Sequence, residues 1–181
     1  MAAKFIDSCS RQYVPFLGFE PNLKTNAGSR NFGSNPVLQR ENRALIDRHS
    51  NAGDTVIIPT PCLAELLTTV PDVMKVLEEI DRSPSMNTAG FDARCAVELA
   101  LETQKSIKSG DKKGGVGAGW QEVKFDRQIA VIAKVNGADV FYTDDSNQAA
   151  FATQLGMTVK HTWNLELPPD YAQRNFLTDE D

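Results

Sequence analysis

Thr55-Val56-Ile57-Ile58 is an unbroken β-branched run, and such a run reads as a strand covered on both faces rather than one with a wet side. Strands of that kind belong to parallel sheets enclosed by helices, and the surrounding pattern agrees. Lys4-Phe5-Ile6-Asp7, Ala138 to Thr143 and Met157 to His161 read as further short strands. Between them lie segments of helical period. Leu38, Leu45 and Ile46 fit one face of a helix running to about Asn51, stopped by Ala52-Gly53-Asp54. Pro59-Thr60-Pro61 leads into a second helix, with Thr60 as its expected cap, Pro61 at its first position and Leu63, Leu66, Leu67 and Val70 on its apolar side. Val73, Val76, Leu77 and Ile80 mark a third, and Ser83 to Gly90 reads as a break. Phe91 to about Ile107 is expected to form a long helix with Cys95, Leu99 and Ala100 inward, Val123 to Asn136 another, and Ser146 to Leu155 the last. Strands alternating with helices imply right-handed crossovers and an α/β fold, a four- or five-stranded parallel sheet flanked by helices in three layers. Sites in such sheets form beyond the carboxyl ends of the strands.

The 181 residues suit one domain, expected over 1–165, with a polar tail at 166–181 ending Thr178-Asp179-Glu180-Asp181. Residues 15–36 are dense in Pro, Gly and Asn and read as a long loop, and 108–119 as a second, rich in Gly and Lys. Three widely spaced cysteines, Cys9, Cys62 and Cys95, lack zinc spacing and read as reduced residues packed as small hydrophobes. No apolar run reaches membrane-spanning length and the first acid comes too early for a secretory signal, so the expected location is cytoplasmic, with no membrane partner. A formal net charge of -5 argues against binding nucleic acid through bulk charge alone. It leaves room for a nuclease, because clustered carboxylates become an asset once a divalent cation sits among them.

Acids gather near the expected strand ends. Asp7 closes the first strand, Glu65 lies in the apolar turn Cys62-Leu63-Ala64-Glu65-Leu66-Leu67, Asp126 stands at the expected start of the helix through Ile129, and Asp144-Asp145 follow Thr143. Each has an ordinary account taken singly. Asp7 fits a turn, Glu65 a solvated side chain, Asp126 the first turn of a helix and Asp144 or Asp145 a helix cap. Together at one edge of a parallel sheet they suggest an oxygen-rich site suited to Mg2+ or Mn2+. Neither histidine competes: His49 and His161 read as packing or surface residues.

Four segments, in order, resemble the PIN-domain nucleases, a family that includes the toxins of VapBC toxin–antitoxin pairs. Lys4-Phe5-Ile6-Asp7-Ser8 looks like the family's first strand, and the segment from Val56 to Leu67 looks like its second, carrying Glu65. Phe125-Asp126-Arg127-Gln128-Ile129-Ala130-Val131-Ile132-Ala133 is similar to the helix bearing the third acid. Gly137 to Asp145 is similar to the strand leading to the fourth, at Asp145 or its neighbour Asp144, with Thr143 positioned to bond a carboxylate or a metal-bound water. The resemblance implies a PIN-like fold, Mg2+ or Mn2+ held by Asp7, Glu65, Asp126 and Asp145, endonucleolytic cleavage of single-stranded RNA, and an antitoxin or a second copy as partner. Two departures stand out: Ser8-Cys9 where Thr-Asn commonly follows the first acid, and a longer stretch from Ser10 to Pro36.

The substrate path is expected along the basic loop before the third acid. Lys105, Lys108, Lys112, Lys113 and Lys124 stand there among glycines, with Trp120 able to stack on a base and Arg30, Arg40 and Arg43 as a second basic edge. No strand leads into the loop, so it lacks the context of a dinucleotide fingerprint or P-loop. Two other readings compete. A haloacid-dehalogenase-type phosphohydrolase needs a second Asp where Cys9 stands, and a PIN-like module could bind RNA or a partner without cutting.

Overall fold

The computed structural model describes residues 45–68 and 70–161, together with the backbone of the strand at 3–6. Five strands form one parallel sheet: β1 (Ala3–Ile6), β2 (Thr55–Pro59), β3 (Met86–Ala89), β4 (Ala138–Tyr142) and β5 (Thr158–Lys160), in the order β3-β2-β1-β4-β5. Helix α1 covers 45–51 among the described residues; α2 is Thr60–Leu67, α3 Val73–Arg82, α4 Ala93–Lys108, α5 Trp120–Val135 and α6 Ser146–Gln154. The α/β class and the parallel sheet expected from the alternating pattern are present.

The sheet separates two apolar clusters, as alternation along the strands requires. Ile57 and Phe141 point to one side, where they join Cys62, Cys95, the middle of α5 and Phe151. Val56, Ile58, Val140 and Tyr142 point to the other, against Leu45, Ile46, Leu66, Val76 and Ile80. Cys62 and Cys95 are free thiols packed in the core, as expected; Cys9 lies outside the described residues. Helix α5 carries the run Ile129-Ala130-Val131-Ile132-Ala133, all fully buried, because it packs against the sheet and between α4 and α6. Five consecutive buried residues leave this stretch of α5 no wet face, whereas the helix's first turns keep Gln121, Glu122 and Phe125 exposed.

On the opposite face a polar contact ties α1 to β4. His49 is buried, its Nδ1 3.0 Å from Asp54 Oδ2 and its Nε2 3.0 Å from the Tyr142 hydroxyl. Burial pushes the Tyr142 phenol up from its ordinary value. His49 is therefore a packing residue, as its position suggested.

Four local expectations are corrected. β3 was read as part of a break, because Met86-Asn87-Thr88-Ala89 has little β-branched character; it is an edge strand with only Ala89 buried. Thr60 does not cap α2: Pro59 occupies that position, no side chain caps it, and Thr60 and Pro61 open the helix. Helix α4 begins at Ala93 rather than Phe91, since Asp92 caps it by accepting from Cys95 N–H at 3.0 Å, an interaction that holds the exposed Asp92 carboxyl down at about 2. Its inward face is Cys95, Glu102 and Ser106, while Ala100 is exposed and Leu99 only half-buried. Glu102 can be buried there because Lys105 and the Gln154 amide both bond its carboxylate.

Phe141→Ala should lower unfolding stability by about 3–5 kcal/mol in urea titrations, the range for emptying a large core site. Leu101→Ala, on the exposed side of α4, should change it by no more than about 0.5 kcal/mol. Equal effects would contradict the placement of the core.

Candidate functional site

The strand order fixes where a crevice opens. The chain builds outward from β1 through β2 to β3, then returns to place β4 on the other side of β1. Connections beyond the carboxyl ends of β1 and β4 thus part in opposite directions, which is where open parallel sheets bind ligands. Ile6, the last residue of β1, pairs with Tyr142, the last of β4. Asp7 follows Ile6 in sequence and lies outside the described residues; Thr143 follows Tyr142 and is fully buried.

From Thr143 a short network crosses to α5. The backbone N–H of Asp145 donates to Thr143 Oγ1 at 3.1 Å, and Thr143 Oγ1 donates to Gln148 Oε1 at 3.4 Å. Gln148 is buried, and its Nε2 donates to Asp126 Oδ1 at 3.2 Å. With its oxygen taken by Thr143, the amide must turn its NH2 toward Asp126, so the orientation is set by the network. Asp145 caps α6, its Oδ1 accepting from the N–H groups of Asn147 and Gln148, both at 2.8 Å. That is the helix-cap role expected for this acidic pair, and it falls on Asp145.

Gln148 was not singled out from sequence. The signal was there: Asp145-Ser146-Asn147-Gln148 has the spacing of a capping box, in which the Gln turns back to the cap residue's backbone. Here Gln148 reaches across to Asp126 instead, and that long-range choice has no local signature.

Asp126 is not in the first turn of its helix. Helix α5 starts at Trp120, which places Asp126 nearly two turns in, so the helix dipole does not account for it. It is half-buried, and its carboxyl is held above its ordinary value first by burial, against the Gln148 hydrogen bond that favours the ionised form, and then by the charges of Asp145, Glu122 and Glu65. Of the adjacent pair, Asp145 is the one whose charge acts on Asp126; Asp144 is half-buried beside it. Glu65 is exposed on α2, meeting the expectation that a carboxylate in that apolar turn must reach solvent or a partner. Among the described residues no three Asp, Glu, His or Cys side chains come together closely enough to hold a metal ion.

The loop between α4 and α5 is organised around its own acid. Asp111 accepts from the N–H groups of Lys113, at 2.8 Å, and of Gly115, and these bonds, the Gly115 bond foremost, lower its carboxyl. Lys113 Nζ donates to Ala118 O at 3.0 Å, and Lys112 Nζ sits 3.9 Å from the centre of the half-buried Trp120 ring. Trp120 thus already carries a cation against its face, while Lys124 is half-buried on α5. Arg30, Arg40 and Arg43 lie outside the described residues. His161 Nδ1 contacts Thr143 O at 2.7 Å, just past the end of β5.

Arg127, the residue after Asp126, also escaped notice in the sequence. It is only 4% exposed, donates from Nη1 to Lys112 O at 3.0 Å, and lies over the Phe151 ring at 5.0 Å. An apolar-spaced helix with an Arg at an inward position was the available signal.

No family profile matches the chain, and no curated protein matches it. Among solved structures, that of VapBC2 from Rickettsia felis bound to a DNA fragment from their promoter contains a similar chain, 12% identical with a TM-score of 0.49, covering 88% of this chain and 98% of that one. A likeness at this level carries nothing about activity.

Because the folded Asp126 carboxyl sits above its unfolded value, its ionisation works against the fold. Its contribution to stability is lost as pH rises through the window from 3.8 up to the raised value. Asp126→Asn keeps an oxygen for Gln148 and removes the charge, so its Tm should exceed that of the wild type at pH 7 in EDTA. The gap should close below pH 4; a gap constant across pH would contradict the repulsion.

Proposed function

We propose that this chain is a PIN-type endoribonuclease that cleaves single-stranded RNA with Mg2+ or Mn2+ held by Asp7, Glu65, Asp126 and Asp145. The observation that carries the reading is Asp126: a half-buried carboxylate on a rigid helix, pressed by the charges of Asp145, Glu122 and Glu65. Such a group is at odds with its surroundings unless a cation joins it. The donors are carboxylate oxygens alone, the chemistry of hard divalent ions. Glu65, Asp126 and Asp145 do not by themselves complete a metal site, and Asp7, next in sequence after the central strand, is the further donor this reading requires.

When bound, the ion would supply an activated water and charge neutralisation at the scissile phosphate. The protein's own residues do the rest by position. Gln148 fixes the rotamer of Asp126 through its NH2, and Thr143 fixes Gln148 by donating to its oxygen. Asp145 is held at the head of α6 by the two N–H groups it accepts from. Four polar groups, from the end of β4, α5 and the head of α6, are thereby tied to one another, as outer partners of ion-binding carboxylates commonly are.

The test uses a fluorescent single-stranded RNA with Mn2+, with Mg2+ and with EDTA. The wild type should cut only with metal, Asp126→Asn should not cut, and Gln148→Leu should lose roughly ten- to a hundred-fold, the usual cost of removing an outer-shell partner. Cleavage by Asp126→Asn equal to the wild type would refute the site. Tight RNA binding without cleavage would favour the non-cutting module.

A further inference from the structure

Arg127 and Asp126 line one cleft, between α5, α6 and the loop before α5, together with Lys113, Gly114, Asn147 and Phe151. The two walls differ in what they lack. Asp126 has an amide and like charges around it, as described above. Arg127 is nine-tenths and more buried, with a planar fork of five N–H donors. Among the described residues the fork makes one hydrogen bond, to a backbone carbonyl, and no ion pair. Phe151 and Trp120 lie at 5.0 and 5.9 Å from the guanidinium carbon and satisfy its charge in part, but ring faces accept none of its in-plane N–H bonds.

Two acids act on Arg127 from a distance, Asp111 and Glu102, and both are already engaged. Asp111 is bonded to the N–H groups of Lys113 and Gly115, and Glu102 to Lys105 and Gln154. Gly114 closes over the fork: its φ of +69° suits glycine, and a Cβ there would stand 3.3 Å from Arg127 Nη2. A charge in such a place is costly without an anion.

We propose that this cleft is a subsite for a phosphate group, received by the free edge of the Arg127 fork with Lys113 beside it. The fork's parallel donors match two oxygens of a phosphate, and the tetrahedral group has further oxygens to offer the Lys113 ammonium. The subsite lies next to Asp126, so under the nuclease reading it anchors a phosphate adjoining the one that is cut. Its phosphate binding does not depend on metal or cleavage.

The experiment uses the full chain in EDTA, where no metal is present. Sodium phosphate is titrated against sodium chloride at matched ionic strength, followed by calorimetry and Tm. Wild-type protein should bind phosphate saturably; no saturable effect beyond chloride would overturn the proposal without recourse to any variant. Arg127→Gln should weaken binding about ten-fold or more, as loss of a charged paired contact does, and Arg127→Lys should fall between. Circular dichroism checks that both fold, and unchanged affinity in a folded Arg127→Gln would also overturn it. Asp126→Asn should bind phosphate at least as well as the wild type while lacking cleavage with metal, so loss of the nuclease reading and loss of the subsite give different results. A short single-stranded RNA that displaces the phosphate identifies a strand's phosphodiester as the source; phosphate binding undisturbed by RNA identifies free phosphate.

Discussion

In a sheet whose strands all run one way, each return path crosses a face, and the faces are then closed to water. Here the two faces hold Ile57 and Phe141 on one side and Val56, Ile58, Val140 and Tyr142 on the other. Polar chemistry is left to the strand ends, and the outward order from β1 decides which end opens. The remaining features follow from that constraint. Thr143, at the first position past β4, is buried and needs partners, and it finds them in the Asp145 backbone and the Gln148 amide. The amide in turn meets Asp126, so one strand end determines the orientation of a carboxylate on a helix of the neighbouring layer.

Helix α5 then carries two groups of opposite need at consecutive positions. Side chains one residue apart diverge by about 100° around a helix, so Asp126 faces α6's first turn while Arg127 faces the loop and Phe151. Neither is neutralised by the other. Asp126 is half-buried with like charges acting on it, a setting a cation would relieve; Arg127 is buried and, among the described residues, most of its donors have no partner, a setting an anion would relieve. The fully buried run from Ile129 to Ala133 holds both in place, since close packing there resists any turn of the helix that would relieve either. A divalent ion and a phosphate are the two partners that would satisfy both at once.

Much of this could be read from the chain. Thr55 to Ile58 declared a strand covered on both faces, because burial on that scale leaves its mark in composition, and Val123 to Asn136 showed a helix. β3 escaped because an edge strand needs little apolar character, and Met86-Asn87-Thr88-Ala89 has little. The start of α5 was misplaced because Trp120 to Val123 follows a glycine loop with no capping side chain to announce it. The acids were legible as residue types near strand ends. Their mutual arrangement was not, since the Gln148 bridge joins residues 22 apart in sequence and imitates a local capping box. The lysine loop is folded about Asp111, and the buried cation next to it is the inward-facing Arg127.

The central claim is that the crevice past β1 and β4 gathers carboxylates for a divalent ion, and paramagnetic broadening by Mn2+ tests it most directly. Amide resonances of an isotope-labelled full chain would be followed as Mn2+ is added below one equivalent. The account predicts that signals at Asp7, Glu65, Asp126 and Asp145 to Gln148 fade together and first, and that Asp126→Asn abolishes this preference. Broadening spread over exposed acids such as Glu78, Asp81 and Asp92, with the crevice no more affected than they are, would contradict it.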